Sequence, residues 1–324
     1  MKKNIYYIFS ITRVLSLLLI FVKCDENPDN QIIDMAERID SIPSSISFQN
    51  ILDVNNNGGH LQGIQYYKYN QKEYLFLSGS SDSNSYYAVV KMGVENSVIS
   101  VNNILPIPYK HAGGFQISNN LMAIGVEDNS VRNKSKVFIY RIDDPESLPK
   151  EPLEIIDRFG TIKRATAGCV GIIEIGEFVL LVVGDWDTKH LDFYKIKKER
   201  VGFDDETFEL VYSINIANID RSDWINDIWL SYQNINFIRD YSDNLYLAGM
   251  ASNGNGKNLL DLFRIETEDF STFNLRKIFS KQLNQSDEAN FDLAAGLYMT
   301  DGGNLKIFSC GSHIQEVTRI NIFK

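Results

Sequence analysis

Cysteine is scarce in this chain, with three residues in 324. That excludes a disulfide framework, which needs several paired Cys in a short exported chain, and a Cys-based metal site, which needs them clustered. Basic charge is also in deficit, at 32 Lys and Arg against 42 Asp and Glu. No run of Lys and Arg interleaved with aromatics overrides this locally, so a non-specific grip on nucleic acid or anionic lipid is excluded. Nucleophile-elbow, phosphate-loop and HExxH patterns are absent, which removes the commonest signatures of acyl transfer, nucleotide use and zinc proteolysis. No Pro-, Gly- or Ser-rich stretch marks a linker between two domains. Hydrophobic residues make up 44%, enough for one large core.

The longest mostly apolar run, Val14 to Val22, has nine residues, where about 20 are needed to span a bilayer. With Lys2, Lys3 and Arg13 before it, residues 1–24 read as an export signal. Cys24, followed by Asp25, Glu26, Asn27 and Pro28, sits where a bacterial lipoprotein carries its lipidated Cys, although Lys23 replaces the small residue expected before it. The expectation is an exported envelope protein tethered by lipid on Cys24, outer-membrane or periplasmic. The alternatives are plain secretion after cleavage near Cys24 and an uncleaved anchor.

What the chain does have is a repeat. An opener begins an apolar strand at Gly63, Gly114, Gly168, Asn234 and Gly296, with spacings of 51, 54, 66 and 62 residues. A second glycine follows 11 to 16 residues later, at Gly79, Gly125, Gly184, Gly249 and Gly311. A strand then ends in a basic residue plus Ile or Met, as in Lys91-Met92 and Arg141-Ile142. Short strands rich in β-branched and aromatic residues, joined by tight polar turns, make each repeat a four-stranded antiparallel unit. Repeats of this length in which each unit is one small sheet are propeller blades. Cys169 and Cys310 align with apolar strand positions of non-adjacent repeats, so they are expected as buried thiols rather than a bridge.

The fifth repeat lacks its fourth strand, because the chain ends at Lys324 after Val317–Phe323. A candidate replacement lies at the other end, where Phe48–Val54 precedes the first opener much as the fourth strand of repeat one precedes the second. The fold expected is all-β: a five-bladed β-propeller over residues 46–324, closed by the N-terminal strand completing the last blade, which buries both sheet edges. Residues 25–45 read either as a short helix, with Ile32, Met35, Ala36 and Ile39 at helical spacing, or as a solvated tether.

In such a ring the loops entering the first strand and leaving the second share one face. His60 and His111 each stand three residues before an opener, and Asp82, Asp128 and Asp187 each stand three after a second glycine. Arg164 falls in the same loops, with Glu127, Asp185, Asp227, Asp292 and His313 nearby. Repetition at fixed offset suits carboxylates that cap turns. The sharper reading is a ligand site of His60, Asp82, His111, Asp128, Arg164 and Asp187 for a glycan, a peptide or Ca²⁺, which takes about six to eight oxygens. A transition-metal pair at His60 and His111 lacks a third ligand in register. Gln65 and Gln116 should project from innermost strands. Trp186, Trp224 and Trp229 are either stacking platforms or buried between blades.

The repeats from Phe48 to Lys324 resemble five-bladed β-propellers as an architectural class, which includes sugar-binding lectins and glycoside hydrolases acting on arabinans and fructans. The resemblance implies, for the hydrolases, three carboxylates around the channel, one of them on the innermost strand of the first blade. Here that strand begins HLQGIQ, without a carboxylate. A non-catalytic binding module, acting as a monomer and presenting its polar face to a glycan or protein, is therefore the leading expectation. A glycan-processing hydrolase using a pair such as Asp187 and Asp292 is the alternative, and a structural surface protein without a small ligand is the third.

Overall fold

A computed structural model of the protein describes residues 28–52, 59–203, 205–311 and 313–324. The proposed export signal, Cys24 and Val54 lie outside the described residues. Among the described residues, twenty strands form five antiparallel blades of four around a channel, and the fold is a five-bladed β-propeller. Blade one is β2 (Leu61–Tyr69), β3 (Lys72–Ser80), β4 (Asn84–Met92) and β5 (Ser97–Pro106). Blade two is β6 (His111–Ser118), β7 (Leu121–Glu127), β8 (Lys134–Arg141) and β9 (Glu154–Phe159). Blade three is β10 (Cys169–Ile175), β11 (Phe178–Gly184), β12 (His190–Lys197) and β13 (Glu209–Asn215). Blade four is β14 (Asn234–Arg239), β15 (Leu245–Ser252), β16 (Lys257–Glu266) and β17 (Asn274–Asn284). Blade five is β18 (Ala294–Met299), β19 (Leu305–Cys310) and β20 (Val317–Phe323), with β1 (Ser44–Gln49) added on its outer edge.

Closure by an N-terminal strand is as expected, but its position is not. The closing strand is Ser44–Gln49 rather than Phe48–Val54, in a register that runs from Ser44 opposite Ile322 to Gln49 opposite Val317. Ladder length explains the shift. Strand β20 offers partners only from Val317 to Phe323, and Phe48 must reach the core, where it is 2% exposed. Ile51, inside the expected strand, is instead 75% exposed.

The opener glycines mark where innermost strands converge. A Cβ on Gly296 would stand 1.6 Å from the Ile64 carbonyl oxygen, and one on Gly114 2.3 Å from that of Gln233. Blades that approach so closely have no room for a side chain at these openers, whereas a Cβ on Gly168 would meet nothing nearer than 3.4 Å. Five apolar clusters fill the five junctions between blades. Cys169 and Cys310 are buried in two different ones, with no disulfide between them. Trp224 and Trp229 pack in the blade three–four junction, their Nε1 donating to Leu275 O and Thr188 O at 2.9 Å each, so these two are structural.

Before β1, helix α1 (Asn30–Glu37) buries Ile32, Met35 and Ala36 against blades four and five, joined by Ile39. Asp29, at the start of the helix, is fully buried and holds two arginines: Arg264 Nη1 at 2.6 Å and Arg276 Nη2 at 2.8 Å. Tyr246 OH, just past the β14–β15 hairpin, lies 3.3 Å from Asp29 Oδ1. No helix among the described residues is long and apolar enough to cross a membrane.

Gln65 and Gln116 do project from innermost strands, but toward neighbouring strands rather than a ligand. Gln65 Nε2 donates to Asn236 Oδ1 at 3.3 Å. Gln116 Nε2 donates to Phe237 O at 2.8 Å, and its Oε1 accepts from Ile172 N at 3.0 Å and Phe237 N at 2.9 Å. Asn236 Oδ1 accepts from Leu297 N at 2.9 Å. Three buried amides thus brace the innermost strands of all five blades across the channel axis. Amides in this role satisfy backbone groups that the converging strands leave unpaired. The channel therefore has two ends, each a cup of its own.

Candidate functional site

One cup, of about 500 Å³, opens at the hairpin end, with Gln65 and Gln116 in its lining beside Arg239, Tyr241 and Tyr298. The other, of about 300 Å³, lies at the opposite end, where the loops entering the first strands meet those leaving the second. This second cup gathers His60 and Gln62 from blade one, His111, Glu127, Asn129 and Arg132 from blade two, Gly168 and Trp186 from blade three, and Gln233 and Asp292 near blades four and five. We call it the histidine mouth.

The two histidines expected to converge do so, with ring centroids 6.1 Å apart. His313 stands 6.5 Å from His60, so three of the four histidines in the chain meet here. His111 Nδ1 lies 3.1 Å from Glu127 Oε1, within ion-pair distance but out of line for a hydrogen bond. Glu127 is fully buried, and its Oε2 accepts from Ala167 N at 2.9 Å. Trp186 is half-buried, 5.9 Å from His111 on one side and with the Arg132 guanidinium 3.8 Å from its ring centroid. Gln62 Oε1, His111 Nδ1, Glu127 Oε1 and both ring nitrogens of His313 are buried without an aligned hydrogen-bond partner among the described residues. Polar atoms left this way cost about 1–3 kcal/mol each unless water or a ligand completes them. Their concentration at one mouth makes it the candidate site.

The four remaining candidates from the sequence do not line the mouth. Asp128 is buried and caps its own loop, Oδ1 accepting from Ser130 N at 2.9 Å and Val131 N at 3.0 Å. Arg164 grips Asp192 in a bidentate pair at 2.6 and 2.5 Å. Burial alone would raise the Asp192 carboxyl, but Arg164 and Arg158 hold it below the usual range. Asp187 sits with Lys163 at 3.1 Å and Lys189 at 3.3 Å. Asp82 is exposed, close enough to His313 to work against the lowering of its pKa by burial. Repetition at a fixed offset gave three aspartates three separate local roles, and no shared ligand shell. Asp185 is another cap, accepting from Lys189 N and His190 N at 2.7 and 3.1 Å, and Asp227 is an exposed residue of the insertion.

No group of three or more His, Cys, Asp or Glu among the described residues is arranged to hold a metal ion. The Ca²⁺ reading of the loop aspartates fails on the same geometry: Asp128 and Asp187 are engaged locally and Asp82 faces solvent.

Burial, with His111 and His313 beside it, pushes the His60 pKa down to about 4, and burial lowers His313 as well. The folded state therefore favours the neutral imidazole, while an unfolded His titrates near 6.5. Between pH 6.5 and 4 the unfolded chain binds more protons, so stability is full above 6.5 and declines as pH falls through that window. His60 contributes at most roughly 3 kcal/mol to this decline. Urea midpoints at pH 7.5, 6 and 5 should fall less steeply for His60→Gln than for the parent. Parallel curves would show that His60 keeps its ordinary pKa.

No family model matches the chain, and no curated protein matches it. Among solved structures it is similar to the GH43_1 enzyme of Xanthomonas citri in complex with xylotriose, over 86% of this chain and 89% of that one, at 10% identity and a TM-score of 0.50. The β-xylosidase RS223 is similar over 82% and 92%, at 11% identity and a TM-score of 0.49. For the catalytic domain of the GH62 α-L-arabinofuranosidase of Coprinopsis cinerea the figures are 87%, 97%, 10% and 0.46. The first likeness supports the propeller fold, and at such identity it speaks to fold alone.

Proposed function

We propose that the histidine mouth is a glycan site and that the protein is a glycan-processing hydrolase acting through Glu127 and Asp292. What carries this reading is that one fully buried and one exposed carboxylate line the same cup, among polar atoms that lack partners. Glycosidic hydrolysis asks for two carboxyl groups flanking the bond, one giving a proton to the leaving oxygen and one activating water or attacking the sugar. Split environments are how two like groups take the two roles. The pair expected from the sequence, Asp187 with Asp292, gives way here because Asp187 is engaged by two lysines away from the cup. Amides and imidazoles around the wall, namely Gln62, Gln233, His60 and His111, suit sugar hydroxyls, which both donate and accept. About 300 Å³ is at the small end of ligand pockets, which fits a short stretch of glycan. The propeller fold is also that of the X. citri enzyme, whose structure holds xylotriose.

A second reading keeps the glycan and drops the chemistry. Two observations favour it: Glu127 is contacted at both oxygens, by Ala167 N and by His111, and the first innermost strand carries no carboxylate. Binding to a broad glycan panel, followed by reducing-sugar release on the hits, separates the two. Release supports the hydrolase, binding without release supports the binding module, and binding to no glycan removes both.

A further inference from the structure

Four basic side chains near the junction of blades two and three are matched to carboxylates, and Arg132 beside them is not. Arg158 and Arg164 meet Asp192 at 2.8 and 2.5 Å, while Lys163 and Lys189 meet Asp187 at 3.1 and 3.3 Å. Arg132 has no carboxylate within ion-pair distance among the described residues, although it lines the mouth. Its Nε donates to Asn129 O at 3.2 Å, and its plane lies over Trp186. Both contacts fix the head of the side chain. Neither engages its Nη groups, and the residue lines the cup.

The backbone beneath this side chain is built at a cost. Arg132 has φ of 61°, a left-handed conformation that residues with a Cβ rarely adopt and that concentrates at functional sites. It is held there by two bonds, Arg132 N to Asp128 O at 2.8 Å and Lys163 N to Arg132 O at 2.6 Å. The Asp128 carboxylate shapes the same turn through Ser130 N and Val131 N, which makes Asp128 a positioning residue for Arg132.

We propose that Arg132 selects an acidic glycan, binding the carboxylate of a uronic acid through its guanidinium fork. The proposal rests on the glycan reading above. A guanidinium presents paired N–H donors in one plane, which matches a carboxylate and gives bonds stronger than a hydroxyl can. Stacking on Trp186 orients that plane in advance, so little side-chain freedom is lost on binding. A sulfate offers the same oxyanion chemistry without the planar match.

Affinities for uronic-acid oligosaccharides of the galacto, gluco and manno series are measured by calorimetry, each beside its carboxyl-reduced neutral counterpart and a sulfated neutral counterpart. The full chain is compared with Arg132→Lys and Arg132→Gln, with melting curves as the folding control. The expected result is an acid bound about tenfold or more tighter than its reduced counterpart. Arg132→Lys, which keeps the charge and loses the fork, should erase most of that preference. Equal binding of acid and reduced sugar by the full chain needs no variant, and it would overturn the proposal while the glycan reading stands. Survival of the preference in Arg132→Gln would do the same. Tighter binding of the sulfated arm would overturn the choice of carboxylate. No binding in any arm would remove the glycan reading and this one with it.

Discussion

A chain beginning at Asn50 is expected to yield no soluble, folded monomer. Its loss would strip β20 of a partner that now runs from Ser44 to Gln49, leaving an open edge that templates aggregation. It would also remove Ile32, Met35, Ile39 and Phe48 from the core, each no more than 4% exposed. Burying four side chains of this size contributes about 6–12 kcal/mol, at 1.5–3 kcal/mol each. A typical domain has about 5–15 kcal/mol of net stability, so the deletion consumes most or all of it. Arg264 and Arg276 would lose Asp29 besides. Soluble yield, size-exclusion profile and far-ultraviolet circular dichroism are the measurements. A truncated chain that stays monomeric and melts cooperatively at the parent's temperature would mean that the ring does not depend on its N-terminal closure.

Replacing either mouth carboxylate by its amide is expected to cost about 10²–10⁴ in turnover on any glycan that the full chain cleaves, the range for loss of one acid–base group. The substitutions are gentle to the fold. Glu127→Gln keeps an oxygen to accept from Ala167 N, and Asp292→Asn keeps one for Ser252 N, bonds that now measure 2.9 Å each. Ligand affinity and melting temperature should therefore change little while kcat falls. Reducing-sugar assays on both variants decide the matter. Undiminished turnover in both would take Glu127 and Asp292 out of the chemistry and place any catalysis elsewhere on the ring.

The architecture was legible because it repeats. Crowding within or between blades accounts for glycine at all five second-glycine positions and at three of the openers, while Gly168 has room for a Cβ and Asn234 departs. The missing fourth strand of the last repeat pointed to closure. The register of the closing strand was less legible, since the match around Ile51 reflects the approach to the next blade, while pairing is set by how far β20 extends. The site was only half visible. His60 and His111 were placed by the repeat frame, because strand starts converge at the channel by symmetry. Asp82, Asp128 and Asp187 share an offset too, but offset fixes only where a Cα lies. Whether the side chain turns to its own loop, to a lysine or to the channel depends on neighbours unique to each blade. Arg132 had no signal of its own, since its left-handed backbone and its contact with Trp186 arise in one loop and share no position with the other blades.

Asp29 and helix α1 fasten the start of the described chain at the hairpin end of blades four and five, close to the turns at Asp240–Asn244 and Thr300–Asn304. The histidine mouth occupies the other pole. The latch that closes the ring and the mouth therefore stand at opposite poles, separated by the braced amides of Gln65, Gln116 and Asn236, so a partner gripping α1 would leave the mouth uncovered.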